Sequence, residues 1–344
     1  MSPPKNRAFS LHWDKVRYSH AAMVSSTRTT IRRAARSLRD GRLIGMPTET
    51  VYGLAADARN PKAIEAIFRA KGRPTTRPLI VHIGQESQLA EVGDEISETA
   101  WKLARRFWPG PLTLIVKRST SIKKVVTGGH DTVGVRMPDH PVALELLRTF
   151  GGPIAAPSAN RYGGVSPTRA EHVESEFGEH VDMVLDGGHC DVGIESTIVD
   201  VTGEVPVVLR LGLITAAQLE KELGMTVSYS RQSATPSSGR ATSHYKPAAN
   251  VYVVDRSGIS AKLNELTGRG RQVGLVLRAR IQDVPTAHHT QIVGDGTHAF
   301  ARKLYDCLRF ADSKGVDDVI VEPPNKDGVG EAILDRLERA SVSP

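Results

Sequence analysis

From about residue 26 to 222, short apolar runs alternate with amphipathic segments that carry their own start and stop signals, the rhythm of an α/β domain. The runs at 43–46, 79–83, 112–116, 133–137 and 196–201 are too apolar for surface loops and are predicted as strands. Asn60 and Pro61 supply an N-cap and a first-turn proline, Ile64, Ile67 and Phe68 form one apolar stripe, and Gly72 suits the position that ends the helix. Lys71 and Arg73 therefore emerge at a helix exit. Thr168 with Glu171, and Thr215 with Gln218, have the spacing of capping boxes.

Between about 228 and 250 the chain turns to Ser, Thr, Gly, Pro and Ala with almost no large apolar residue, which marks a linker. A second periodic unit follows, with strands expected at 251–254, 273–277 and 319–322 and helices at about 298–311 and ending near 339. The division expected is an N-terminal extension over 1–25, a catalytic domain over 26–224, a linker over 225–250 and a smaller open-sheet α/β domain over 251–344.

Composition adds little beyond an ordinary globular chain of 344 residues, 40% hydrophobic and 24% charged. A net charge of +7 favours acidic partners without choosing among nucleic acid, nucleotide or an anionic surface. Cys190 and Cys307 stand far apart with no metal-ligand spacing around them, so neither a disulfide framework nor a zinc site is indicated, and a reducing cytoplasm is expected. Lys5, Arg7, Lys15 and Arg17 in the N-terminal extension flank no apolar h-region, and no run reaches the length of a membrane span.

There is no P-loop, HExxH, CxxC or GxSxG motif. Polar and basic residues instead gather at the ends of apolar runs, where α/β sheets hold ligands. PTETVYGL (47–54) offers two hydroxyls and a carboxylate; read alone, it is a turn. Lys71, Arg73 and Arg77 form a cationic cluster between prolines that suits a polyphosphate or, equally, a solvated charged face. His82 lies inside an apolar strand and reads by itself as a core histidine. Arg136, inside another, must face a carboxylate from protein or ligand. PSAN (157–160), then Ser166, ESTIVD (195–200) and LRLG (209–212) add short hydrogen-bonding side chains and Arg210.

No one of these is decisive, but in this order PTETVYGL, KGRP with PLIVHI, GVRMP, PSAN, ESTIVD and LRLG resemble the YrdC-like family of threonylcarbamoyl-AMP synthases from about 26 to 222. The rest is similar to the extra domain of its two-domain members. Their PGxKYRHYxP linker has here the counterpart SGRATSHYKP (238–247), which keeps His244, Tyr245 and Pro247 but not the Pro, Lys, Tyr and Arg. The resemblance implies a twisted mixed YrdC-like sheet with helices, a smaller Rossmann-like C-terminal domain, and synthesis of threonylcarbamoyl-AMP and pyrophosphate from L-threonine, bicarbonate and ATP. That product feeds N6-threonylcarbamoyladenosine formation at position 37 of tRNAs reading ANN codons, through separate transferase proteins.

By the same resemblance ATP meets Lys71, Arg73, Arg77, Thr132, Ser158, Asn160, Ser166, Arg210 and Tyr245, with Lys71 and Arg73 as the catalytic cations. Threonine meets Thr50, His82, Arg136, the backbone near Ala156, and Ser196. Mg2+ is expected to ride on the ATP phosphates, with Glu49 and Glu195 as candidate ion or ammonium partners. Nucleotidyl transfer between substrates needs positioning and charge neutralisation rather than a protein nucleophile, which accounts for the missing motifs. Three alternatives remain open: a tRNA- or double-stranded-RNA-binding protein without synthase activity, a nicotinamide enzyme suggested by Gly294, Gly296 and Ala299 with Glu322, and a carbamoyltransferase.

Overall fold

The cap signals around Asn60 and Gly72 set the boundaries seen in the computed structural model, which describes residues 23–25, 27–230, 244–281 and 287–341. The Asn60 side chain accepts from the N–H groups of Lys62 and Ala63, Pro61 opens the helix Pro61–Lys71, and Gly72 ends it at φ 62°, a left-handed conformation that a Cβ would disfavour. Thr215 and Gln218 form the expected reciprocal capping box at Ala216–Leu223. Thr168 does not. The helix Ala170–Phe177 starts after Arg169 with no side-chain cap, and the Thr168 hydroxyl donates instead to the Asp306 carboxylate of the C-terminal unit. A charge-assisted bond to a half-buried carboxylate is stronger than a bond to a neutral backbone N–H.

The first unit is built on one mixed sheet of twelve strands. Its path runs Met23–Ser25, Met183–Asp186, Ile44–Met46, Gly53–Asp57, Ile154–Ala155, Ile80–His82, Thr132–Arg136, Leu112–Arg118, Thr197–Asp200, Val207–Arg210 and Ser228–Tyr229, with Gly93–Asp94 beside Leu112–Arg118. Strands expected from the apolar runs are all present, each within a residue or two. Gly53–Asp57, which directly follows the PTETVY turn, was not expected. Ser228–Tyr229 pairs parallel with Val207–Arg210, so the sheet reaches into the segment assigned to the linker. Most of the linker motif, 238–243, lies outside the described residues.

The second unit is a four-stranded parallel sheet in the order Asn250–Val253, Asp318–Val321, Val273–Leu277, His289–Ile292, flanked by helices Ile259–Gly268, Thr297–Ser313 and Val329–Ser341. The Gly294 to Ala299 stretch links the edge strand to Thr297–Ser313. Glu322 receives Arg256 at 3.1 Å and the N–H of Arg278 at 2.9 Å, so its carboxylate is used within the chain.

The two units share a core. Phe300, Leu304, Tyr305, Leu308 and Ile333 pack in one cluster with Val51, Val165 and Ile194 from the first unit. A polar seam surrounds it: Asp306 takes Thr168, Arg169 at 3.1 Å and His189 at 2.7 Å, and Arg309 reaches Glu176 and the carbonyls of Val165 and Ser166. Gly193 lies so close to Thr297–Ser313 that a Cβ there would stand 2.5 Å from the Ala301 oxygen. A docked interface with both an apolar centre and charge-assisted bonds holds the units in one arrangement.

Candidate active site

Strand register brings the expected side chains together. His82 pairs with Arg136 on one side and Ile154 on the other, which sets His82, Arg136 and the 154–158 turn at one end of three adjacent strands. The 47–52 turn folds over that end because the Thr48 hydroxyl accepts from the N–H groups of Thr50 and Val51, each at 3.2 Å, and donates to the Val51 carbonyl at 2.6 Å. Ser196, Arg210 and the returning His244 and Tyr245 form the opposite wall. The cavity between them has an empty volume of about 550 Å³, counting the part open to solvent.

Arg136 is buried in the cavity wall, and the carboxylate that its burial demands is supplied by Glu49, 2.5 Å from Nη2. Its Nη1 donates to the Thr50 hydroxyl at 2.7 Å and its Nε to the Gly110 carbonyl at 3.2 Å. The Glu49 contact is short, yet neither Nη2 nor the carboxylate oxygens make an aligned hydrogen bond. His82 also faces the cavity, with a buried Nδ1 that has no partner. Burial first, and Arg136 second, push its pKa down to about 3, so the ring is neutral near pH 7.

Arg73 lines the same cavity. Its Nη2 donates to the Pro78 carbonyl at 2.9 Å, and its pKa falls to about 10 through burial and the nearby Arg77 and Arg210. Arg210 is lowered too, chiefly by burial, while its Nε and Nη2 reach the Ser196 carbonyl and hydroxyl, both at 3.0 Å. Ser196 is held in turn by Thr113 at 2.8 Å. Arg73 and Arg210, both disfavoured by desolvation, together with the buried Arg136 form a receptor for an anion.

Lys71 takes a different place from the one expected. It does not line the cavity; its buried ammonium clamps the carbonyls of Ser158, at 2.6 Å, and Asn160. Burial, then Arg73, lowers its pKa well below the ordinary lysine value. Its observed work is to fix the PSAN turn, which presents Ser158 to the cavity. Ala156 lines the cavity, with its N–H on the Ile80 carbonyl. Thr132 begins the strand that Arg136 ends, roughly 13 Å away at about 3.3 Å per residue, and stands outside the cavity lining, as do Arg77, Asn160 and Ser166. Asn160 braces the 161–164 loop, and Ser166 donates to Glu195 at 2.6 Å.

Glu195 is saturated rather than free for an ion or ammonium: beside Ser166 it accepts from Tyr305 at 2.9 Å and from Arg336 Nε at 3.2 Å. Burial works to raise its pKa, but Arg336, Arg210 and Ser166 outweigh this and hold it below the usual carboxylate value. Tyr245 presents a buried hydroxyl without a partner, and His244 an unpartnered Nδ1. His244, Tyr305 and Arg336 were not among the expected site residues. The sequence carries one signal for Arg336, a cation on the apolar stripe of Ala332, Ile333, Leu337 and Ala340.

A family model described as "Telomere recombination" matches residues 36–212, and one described as "Threonylcarbamoyl-AMP synthase, C-terminal domain" matches 214–342. The chain is 41% identical to the threonylcarbamoyl-AMP synthase of Pyrococcus abyssi, over 90% of this chain and 94% of that one. It is 40% identical to that of Bacillus subtilis, over 92% and 94%. The crystal structure of P. abyssi Sua5 complexed with L-threonine superposes with a TM-score of 0.89 at 38% identity, covering 93% of this chain and 98% of that one. Both domains therefore have counterparts in one set of relatives, and the chain belongs to the threonylcarbamoyl-AMP synthase family in its two-domain form.

Proposed function

We propose that the protein joins L-threonine, bicarbonate or CO2, and ATP into threonylcarbamoyl-AMP, releasing pyrophosphate. The observation that carries this reading is the cavity itself, where Arg73, Arg136 and Arg210 converge with unpartnered polar atoms of His82, His244 and Tyr245. The P. abyssi relative was crystallised with L-threonine, and the cavity here has an arginine, a hydroxyl and a neutral imidazole suited to an amino acid.

Thr50, His82, Arg136, Ala156 and Ser196 take the threonine. Arg73 and Arg210 neutralise the phosphates, with Ser158 and Tyr245 along the nucleotide. Lys71, Asn160 and Ser166 support these contacts from behind. The threonine amine adds to CO2 to give an N-carboxylate and loses a proton; a carboxylate oxygen then forms a bond to the α-phosphorus as the bond to pyrophosphate breaks. Both partners are anionic, so the cations lower the barrier by offsetting repulsion and holding the pair in line.

A Mg2+ ion would travel on the triphosphate: no group of three or more His, Cys, Asp or Glu side chains suited to a metal occurs among the described residues, and Glu195 is already engaged. It would neutralise phosphate charge. The product then passes to a separate transferase acting on tRNA. No helix among the described residues is long and apolar enough to cross a membrane, and the buried free thiols of Cys190 and Cys307 suit a reducing cytoplasm. The test is pyrophosphate release from ATP, which must require both threonine and bicarbonate; ATP binding without such release would sink the reading and favour RNA binding.

A further inference from the structure

The C-terminal unit touches the back of the cavity wall, at Glu195 and Tyr245, through two side chains. Tyr305, on Thr297–Ser313, and Arg336, on Val329–Ser341, are both buried, and both end on the same oxygen of Glu195, at 2.9 and 3.2 Å. The other oxygen is held by Ser166 at 2.6 Å. The same two residues frame Tyr245: its ring stacks on Tyr305 with centroids 5.7 Å apart at 24°, and the Arg336 guanidinium lies 5.6 Å from its centroid. Tyr245 is held at φ 63°, a left-handed conformation uncommon for a residue with a side chain, so neighbouring contacts must fix it there.

We propose that Tyr305 and Arg336 are positioning residues for the adenylation site, which aim the unpartnered Tyr245 hydroxyl into the cavity through the ring stack and fix Glu195 in its wall, so that the site is complete only when the second domain is docked. This rests on the synthase reading above and deepens it. Arg336 is further oriented by Asp335 at 3.1 Å, which also holds Arg339 at 2.8 Å. The chain therefore builds a three-residue charged device on one helix to present a single guanidinium to the neighbouring domain.

The test uses the full chain with Tyr305→Phe, which keeps the stacked ring but loses the bond to Glu195, and with Arg336→Gln and Arg336→Lys. Loss of a hydrogen bond to a charged group predicts a fall of roughly tenfold in kcat/KM for ATP in Tyr305→Phe and more in Arg336→Gln. The loss should fall on ATP, with KM for threonine unchanged, and Arg336→Lys should recover part of it, a pattern that general loosening of the fold would not give. Calorimetric binding of a non-hydrolysable ATP analogue reads the same defect without turnover. If the wild type binds the analogue but releases no pyrophosphate, the synthase reading fails while the weaker analogue binding of the variants still reports positioning. Wild-type kinetics and wild-type analogue binding, within twofold, in Tyr305→Phe and in a folded Arg336→Gln would overturn the proposal. Should Arg336→Gln lose its melting transition, Tyr305→Phe alone decides.

Discussion

Acid should destabilise this protein in part through His82, beside the similarly depressed His244 and His172, and the size of the His82 share follows from its burial. In the unfolded chain the imidazole titrates near 6.5, whereas in the folded state burial and Arg136 depress it to about 3. A depressed histidine pKa means that the unfolded state binds the proton first, so the group's stabilising contribution is complete above pH 6.5 and is lost as pH falls from 6.5 toward 3. Between pH 7 and pH 5 the linkage amounts to about 2 kcal/mol, taking 1.36 kcal/mol per pH unit below the unfolded value. His82→Asn keeps a polar side chain at the position and removes the titration. Urea unfolding at the two pH values should show wild type losing about 2 kcal/mol more than the variant. Equal losses in the two proteins would refute the buried, neutral histidine and, with it, the neutral imidazole proposed for the threonine pocket.

Arg136→Met should leave Glu49 as an uncompensated buried charge and destabilise the fold by about 3–5 kcal/mol, with part restored by adding Glu49→Gln; a denaturation double-mutant cycle checks this. Gly193→Val places a branched side chain against the Ala301 carbonyl and should part the two units, read as a lower or split melting transition and loss of pyrophosphate release. Asn60→Ala removes the cap from Pro61–Lys71 and should lower stability by about 1 kcal/mol, with a matching fall in thermal midpoint.

Local signals were legible where the chemistry is local. The Asn60, Thr215 and Gly72 caps act within four residues of themselves, and the buried strands declare themselves as apolar runs. Gly53–Asp57 gives no strand signal because GLAAD lacks β-branched and aromatic residues and borders a turn motif. The strand His289–Ile292 is likewise a polar edge strand, half exposed, with no core alternation to reveal it. Arg136 was readable as a cation needing a carboxylate, but its partner Glu49 becomes its neighbour only when the 47–52 turn folds over the strand ends. Lys71 stands at the helix exit, as the cap residues imply, yet nothing local shows its ammonium turning back to the carbonyls of Ser158 and Asn160. Tyr305 and Arg336 lie 110 and 141 residues from Glu195, so only docking of the two domains brings them together.

If one cavity bonds carbon from bicarbonate to threonine and the product to AMP, the carbon of labelled bicarbonate must appear in the adenylate. The protein should be incubated with ATP, L-threonine and 13C-bicarbonate, and the products analysed by mass spectrometry. A threonylcarbamoyl adenylate carrying a single 13C is expected, formed in equal amount with pyrophosphate and absent with Arg73→Ala. An unlabelled adenylate of threonine alone, or pyrophosphate release with no carbamoylated product, would contradict it.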